Sequence, residues 1–145
     1  MSRSTKVDAV STALRRRGLR VSTSRRLIIK ILLEADAPLS AREISSGPDG
    51  GSIGLDLASV YRNLDLLERH GIVDQIHLGQ GPARYVLGGA GEREYLACER
   101  CGAVVVVAPD ELDELRTSVR ERFGYEVTFA DTPMVGRCRR CRTAA

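Results

Sequence analysis

Asp56-Leu-Ala-Ser-Val-Tyr-Arg-Asn-Leu-Asp-Leu-Leu-Glu-Arg-His70, stopped by Gly71 and followed by Ile72-Val-Asp-Gln-Ile-His-Leu78 and Arg84-Tyr-Val-Leu87, is the stretch on which the fold turns. Val60, Leu64 and Leu67 recur at helical spacing and predict a helix from about Leu57 to His70 with one buried stripe, capped by Asp56. The two apolar runs around Gly79-Gln-Gly-Pro82 predict a pair of strands. Upstream, Val7, Val10 and Leu14 mark a helix over 7–18 that ends at Gly18. Leu27, Ile28, Ile31 and Leu32 mark a second over 23–34, with Ser22, Thr23 or Ser24 as its cap. Ser40-Ala-Arg-Glu43 is a capping-box pattern that opens a short third helix through Ile44. Four helices and then a strand pair is the order of a winged helix, in which the helix before the wing enters a DNA groove. The same order also fits a small helical core with a decorative hairpin.

The charge distribution bears on that choice. The net charge is +3, but residues 1–90 carry thirteen Lys/Arg against nine Asp/Glu, and residues 91–145 carry nine against ten. A basic N-terminal half suits a polyanionic partner, although a solvated basic surface gives the same count. With 145 residues, 43% hydrophobic and 28% charged, the chain fits one compact domain or two small ones. The longest apolar run, Ala103 to Pro109, is far short of the ~20 residues of a membrane span. The first residues lead into Arg-rich sequence without a secretory apolar stretch, so a cytoplasmic protein with no membrane partner is expected.

Gly88-Gly-Ala-Gly91 reads as a hinge, dividing a winged-helix domain at 1–87 from an α/β domain at 92–145. In the second part, a strand from Tyr95 to Val107, a helix from Pro109 to Gly124 and a strand from Tyr125 to about Arg137 are expected. So small a unit needs a staple, a partner subunit or both.

Cys98-Glu-Arg-Cys101 and Cys138-Arg-Arg-Cys141 supply the staple. In a reducing compartment two C-x₂-C pairs read as metal ligands before disulfides. Each tight turn offers two thiolates, and two turns closing on one Zn²⁺ at about 2.3 Å make a tetrahedral Cys₄ site. The 36 intervening residues fit a strand–helix–strand unit clipped at its ends. Arg100, Arg137, Arg139, Arg140 and Arg142 would offset the site's negative charge. Redox pairs and unrelated buried thiols are the alternatives, though neither pair sits at a strand-to-helix turn as a thioredoxin-like site would. With all four positions filled by sulfur, the zinc would be structural.

Gly18-Leu-Arg-Val-Ser-Thr-Ser-Arg-Arg26, Leu57-Ala-Ser-Val-Tyr-Arg-Asn-Leu64, Gly71-Ile-Val73 and the two cysteine pairs together resemble the ferric-uptake-regulator family of bacterial metal-responsive repressors, over about residues 7 to 141. The resemblance implies an α+β fold: an N-terminal winged helix-turn-helix domain, then a small α/β dimerisation domain stapled by the zinc. It also implies a homodimer on palindromic, AT-rich double-stranded operator DNA. Tyr61 and Arg62 match the family's recognition-helix pair. Arg62 would reach a base edge or phosphate and Tyr61 a thymine methyl, with Ser59 on the same outward face. Arg20 matches a basic position that enters the minor groove. Arg15, Arg16, Arg17, Arg25 and Arg26 would serve phosphates.

The sequence departs from the family where metal is sensed. Relatives often hold histidines just before the first cysteine pair, where this chain has Glu92-Arg-Glu-Tyr95. Ala37-Pro-Leu-Ser40 and the strand near Ala130 lack histidines too. Asp74 and Asp113 fall where relatives have carboxylate ligands, but His70 and His77 are the chain's only imidazoles. Lone carboxylates such as Glu92, Glu94 and Asp113 make at best a weak hard-cation site. The expectation is a DNA-binding regulator with one structural zinc and a lost or altered sensing site. It has no visible nucleophile–base pair, phosphate-cradling loop or open metal position, so it is read as no enzyme and as having no small-molecule substrate. Two alternatives stand beside it: a regulator that uses the Cys₄ site as a redox switch, and a partner that heterodimerises with a metal-sensing relative.

Overall fold

The computed structural model describes residues 2–47, 51, 53–78, 81–88, 93–129 and 133–144, with residue 3 through its backbone alone. The chain divides into two compact units, Met1–Ile76 with Ala83–Gly89, and His77–Pro82 with Ala90–Ala145. Of the expected hinge only Gly88 is among the described residues.

The first unit holds α1 (Arg3–Arg16), α2 (Thr23–Glu34), β1 (Leu39–Ser40), α3 (Ala41–Ser46), α4 (Leu57–Arg69), β2 (Val73–Ile76) and β3 (Arg84–Leu87). Its antiparallel sheet has the order β1-β3-β2, and the whole is a winged helix. Leu14, Ile28, Ile29, Ile44, Val60, Leu64, Leu67 and Val73 are fully buried and form its core. Ile29 joins this core while Leu27 is only partly buried. The reason is that α2 packs against α1, α3, α4 and β3, so its buried arc is wider than one stripe.

The helix ends follow the expected chemistry. Gly71 adopts φ 65° after α4, and its amide and that of Ile72 return to the carbonyls of Glu68 and Leu67, both at 2.9 Å. Gly18 closes α1 in the same way, at φ 74°. This two-bond C-cap needs a left-handed residue, which glycine supplies without a Cβ clash. The Ser22 hydroxyl caps α2 by accepting from the Arg25 amide. Ser40 and Glu43 complete the capping box of α3, and Glu43 also pairs with Arg84 at 3.0 Å, fastening that helix to β3. The two-residue strand β1, which pairs Leu39 with Tyr85, was not expected, since two residues carry no alternation to read.

The second unit holds β4 (Glu94–Cys98), β5 (Val104–Val107), a 3-10 turn (Pro109–Leu112), α5 (Asp113–Phe123), β6 (Met134–Gly136) and α6 (Arg139–Thr143). Its sheet order is β5-β4-β6, with β4 antiparallel to β5 and parallel to β6. Three expectations are corrected. The single strand from Tyr95 to Val107 is a hairpin, because Gly102 at φ 72° and its amide bond to the Cys98 carbonyl turn the chain inside the first cysteine pair. The strand expected from Tyr125 to Arg137 shrinks, among the described residues, to Met134–Gly136. The second cysteine pair, expected not to stand at a strand-to-helix turn, does so: Cys138 takes the N-cap position of α6, which follows β6 and whose five residues are too few to show a period.

No residue of α5 is buried. Phe123 is 69% exposed, Tyr125 70%, Val105 56% and Val135 51%. A three-stranded sheet with one longer helix and two short helical turns cannot cover its own apolar side chains.

Candidate metal centre and nucleic-acid interface

The hairpin turn between β4 and β5 presents Cys98 and Cys101, and the step from β6 into α6 presents Cys138 and Cys141. Parallel pairing of β4 with β6, continued by the Glu99 amide on the Gly136 carbonyl at 2.9 Å, sets the two turns side by side. All four Sγ atoms lie within 4.8 Å of one another, and Cys101 and Cys138 are 3.7 Å apart. A disulfide would require about 2.05 Å. A tetrahedron with S–Zn bonds of about 2.3 Å has an S···S edge of about 3.8 Å. The spacing is that of ligands around a tetrahedral metal ion.

The electrostatics agree. The amides of Cys138 and Cys101 hold the Cys98 thiol well below its usual range, and the Ala103 amide lowers that of Cys101. Burial, reinforced by the neighbouring thiols, pushes Cys141 up. Ionisation is thus eased at two sulfurs and opposed at a third beside them. A cation at their centre resolves that conflict, since a coordinating thiol is deprotonated outright. Of the arginines expected around the sulfurs, Arg140 donates to Cys101. Arg100 instead donates to the carbonyls of Cys141 and Ala144, at 3.3 and 2.9 Å, and Arg137 pairs with Glu99 at 2.8 Å. These two bind the halves of the site together from outside.

In the first unit, α4 turns Val60, Leu64 and Leu67 inward at 0% exposure and leaves Tyr61 and Arg62 exposed. Arg62 Nη2 donates to Ser59 Oγ at 2.9 Å, and that hydroxyl donates to Asp56 Oδ2 at 3.1 Å. Asp56 also accepts from the Ser59 amide, which lowers its pKa. Ser59 is therefore occupied in aiming Arg62, a relay readable only as three residues at i, i+3 and i+6. Arg15, Arg16 and Arg20 are exposed. Arg17 and Arg25 each spend a guanidinium nitrogen on the fold, donating to the carbonyls of His70 and Arg20, and Arg26 pairs with Asp8 at 3.3 Å.

Asp74 is exposed on β2, and His77 lies beyond the end of that strand. Asp113 is engaged by Arg116 at 3.1 Å, and Arg116 also pairs with the buried Glu94. Glu92 and Ala130 lie outside the described residues. Among the described residues of either unit, the four cysteines are the one group of three or more His, Cys, Asp or Glu whose ligand atoms converge.

The ferric uptake regulator family model matches residues 16–132. The ferric uptake regulation protein of Bacillus subtilis (strain 168) is 29% identical over 140 residues, 94% of this chain and 94% of that one. The peroxide-responsive repressor PerR of Staphylococcus saprophyticus is 26% identical over 131 residues, 90% of this chain and 88% of its own. The Helicobacter pylori ferric uptake regulator Fur shares the fold with a TM-score of 0.72 at 20% identity, covering 99% of this chain and 96% of that one. On the family match across most of its length, the chain belongs to the ferric uptake regulator family.

Proposed function

We propose that the protein is a homodimeric, sequence-specific DNA-binding repressor of transcription that works in the cytoplasm without a second, regulatory metal. One structural Zn²⁺ per subunit sits on Cys98, Cys101, Cys138 and Cys141. The observation that carries the DNA role is α4, whose apolar stripe is wholly sequestered while Tyr61 and Arg62 stand outward with the guanidinium already aimed. Arg62 reads a base edge or phosphate, Tyr61 packs on a thymine methyl, and Arg20 enters an AT-rich minor groove. Arg15 and Arg16 serve phosphates, as do the remaining donors of Arg17 and Arg25. The exposed apolar side chains of the second unit supply the reason for a second copy. The relatives' names, an iron-uptake regulation protein and a peroxide-responsive repressor, support regulation of transcription. A metal with four sulfur ligands keeps no open position, so the site holds structure and catalyses nothing.

Selection from a random pool of duplex DNA, with the zinc-loaded full chain in a weak chelator, tests this. An enriched inverted repeat with AT-rich half-sites is expected. A pool left without sequence preference contradicts the reading.

The exposure of Cys101 favours a second reading, in which the same site is a redox switch. One peroxide would oxidise two thiolates to a disulfide, taking up two protons and giving two waters, and the zinc would leave. Zinc release at low peroxide in step with loss of DNA binding marks that version.

A further inference from the structure

Glu94, at the start of β4, is 4% exposed, and its Oε2 has no hydrogen-bond partner among the described residues. A buried carboxylate is tolerated only beside a positive charge. Its partner lies far along the chain: Arg116, on α5, donates through Nη2 to Glu94 Oε1. The other nitrogen of the same guanidinium, Nη1, donates to the Pro109 carbonyl at 2.6 Å and to Asp113 Oδ1 at 3.1 Å. The ring of Phe129 covers the group, its centroid 5.6 Å from Cζ. Two carboxylates and a carbonyl from three segments thus converge on one cation. Hard oxygen donors of this kind are what a divalent ion such as Mn²⁺ collects.

We infer that Arg116 is a built-in cation that fastens β4, the 3-10 turn and α5 together in the way a divalent ion would, so that this part of the second unit keeps its arrangement with no metal. The inference rests on the proposal that no regulatory metal is needed, and it supplies the physical cause. A guanidinium stays charged at every working pH and no chelator removes it. An ordinary surface i, i+3 pair would account for Asp113 alone. It would not account for a buried glutamate 22 positions away on another element.

Amide hydrogen exchange of the full, zinc-loaded chain tests this, read at 94–98 and 110–116 with and without millimolar Mn²⁺. In the unsubstituted protein Mn²⁺ is expected to change nothing there. In Arg116→Ala, exchange at both segments should quicken about tenfold or more while zinc stays at one per chain. Mn²⁺ should slow it again, because the vacated oxygens then accept the ion. Glu94→Gln should quicken exchange equally and ignore Mn²⁺. Arg116→Gln serves as a second, less disruptive variant. Exchange in both Arg116 variants equal to that of the parent overturns the inference. So does Mn²⁺ slowing exchange in the parent, or loss of zinc from both variants, which would make Arg116 a support of the zinc site. DNA retention, followed on the duplex recovered by selection, separates the two proposals. A parent that needs Mn²⁺ for DNA while these segments ignore it refutes the metal-free reading alone. Metal-free DNA binding with an unaltered Arg116→Ala refutes the fastening alone.

Discussion

Cys98→Ser is expected to release the metal and to melt the second unit while the first stays folded. A structural zinc contributes on the order of 10–16 kcal/mol in small metal-folded peptides at neutral pH. The second unit has little to set against its loss. Among the described residues its buried apolar side chains are Leu78, Tyr95, Ala97 and Val107 besides Cys98 and Cys141, and no residue of α5 is buried. Each fully buried large side chain is worth about 1.5–3 kcal/mol before the entropy of ordering the chain is subtracted. The first unit, with Leu14, Ile28, Leu64 and Leu67 at 0% exposure, has a core of its own. Calorimetry should therefore lose one transition and keep the other within a few degrees. Acid should act in the same direction as the substitution. The ligands are thiolates, and for Cys98 and Cys101, whose pKa values lie below the ordinary thiol range, that form is favoured down to lower pH and is lost as pH falls further. Zinc is accordingly retained at neutral pH and given up on acidification, measurable with a chromophoric chelator. A Cys98→Ser chain that keeps both transitions would remove the staple from this account.

Arg62→Ala should weaken binding to the selected duplex by about 1–3 kcal/mol, roughly five- to 150-fold, without lowering stability. The side chain is exposed, and its hydrogen bond to the Ser59 hydroxyl and its attraction to Asp56 are both made at the surface, so nothing buried is left unpaired. Arg62→Lys should recover only part of the loss, because an ammonium cannot reproduce a two-pronged contact. Ser59→Ala should cost less than Arg62→Ala, since it frees the guanidinium without removing it. Arg15→Gln provides the contrast: a uniform loss over all sequences and a salt slope lower by about one. If Arg62→Ala behaved like Arg15→Gln, α4 would touch backbone only and the specificity would lie elsewhere.

The parts of this fold that were legible in the sequence are those whose cause is local. Val60, Leu64 and Leu67 with Asp56 before them and Gly71 after them dictate α4 almost to the residue, since stripe, cap and stop agree. The four cysteines were legible as one site because duplicated spacing is itself the geometry of two turns. The hairpin inside the first pair was missed although Cys-x-x-Cys-Gly is a turn; the valines on its far side read as one long strand with Tyr95-Leu-Ala97. Non-local choices were not readable. Which arginines face the sulfurs and which grip carbonyls depends on the packing of α6. The Arg116–Glu94 pair joins two elements whose contact no periodicity announces, and only its i, i+3 half with Asp113 lay open.

DNA binding is expected to survive without a removable metal. Metal content per subunit, measured on protein purified without added metal and again after mild chelation, with binding to the selected duplex followed in parallel, tests it most directly. One tightly held zinc in both samples and the same affinity for DNA are expected. A second metal that chelation removes, taking DNA binding with it, would contradict it, and Asp74, His77, Glu92, Glu94 and Asp113 would be the first residues to replace.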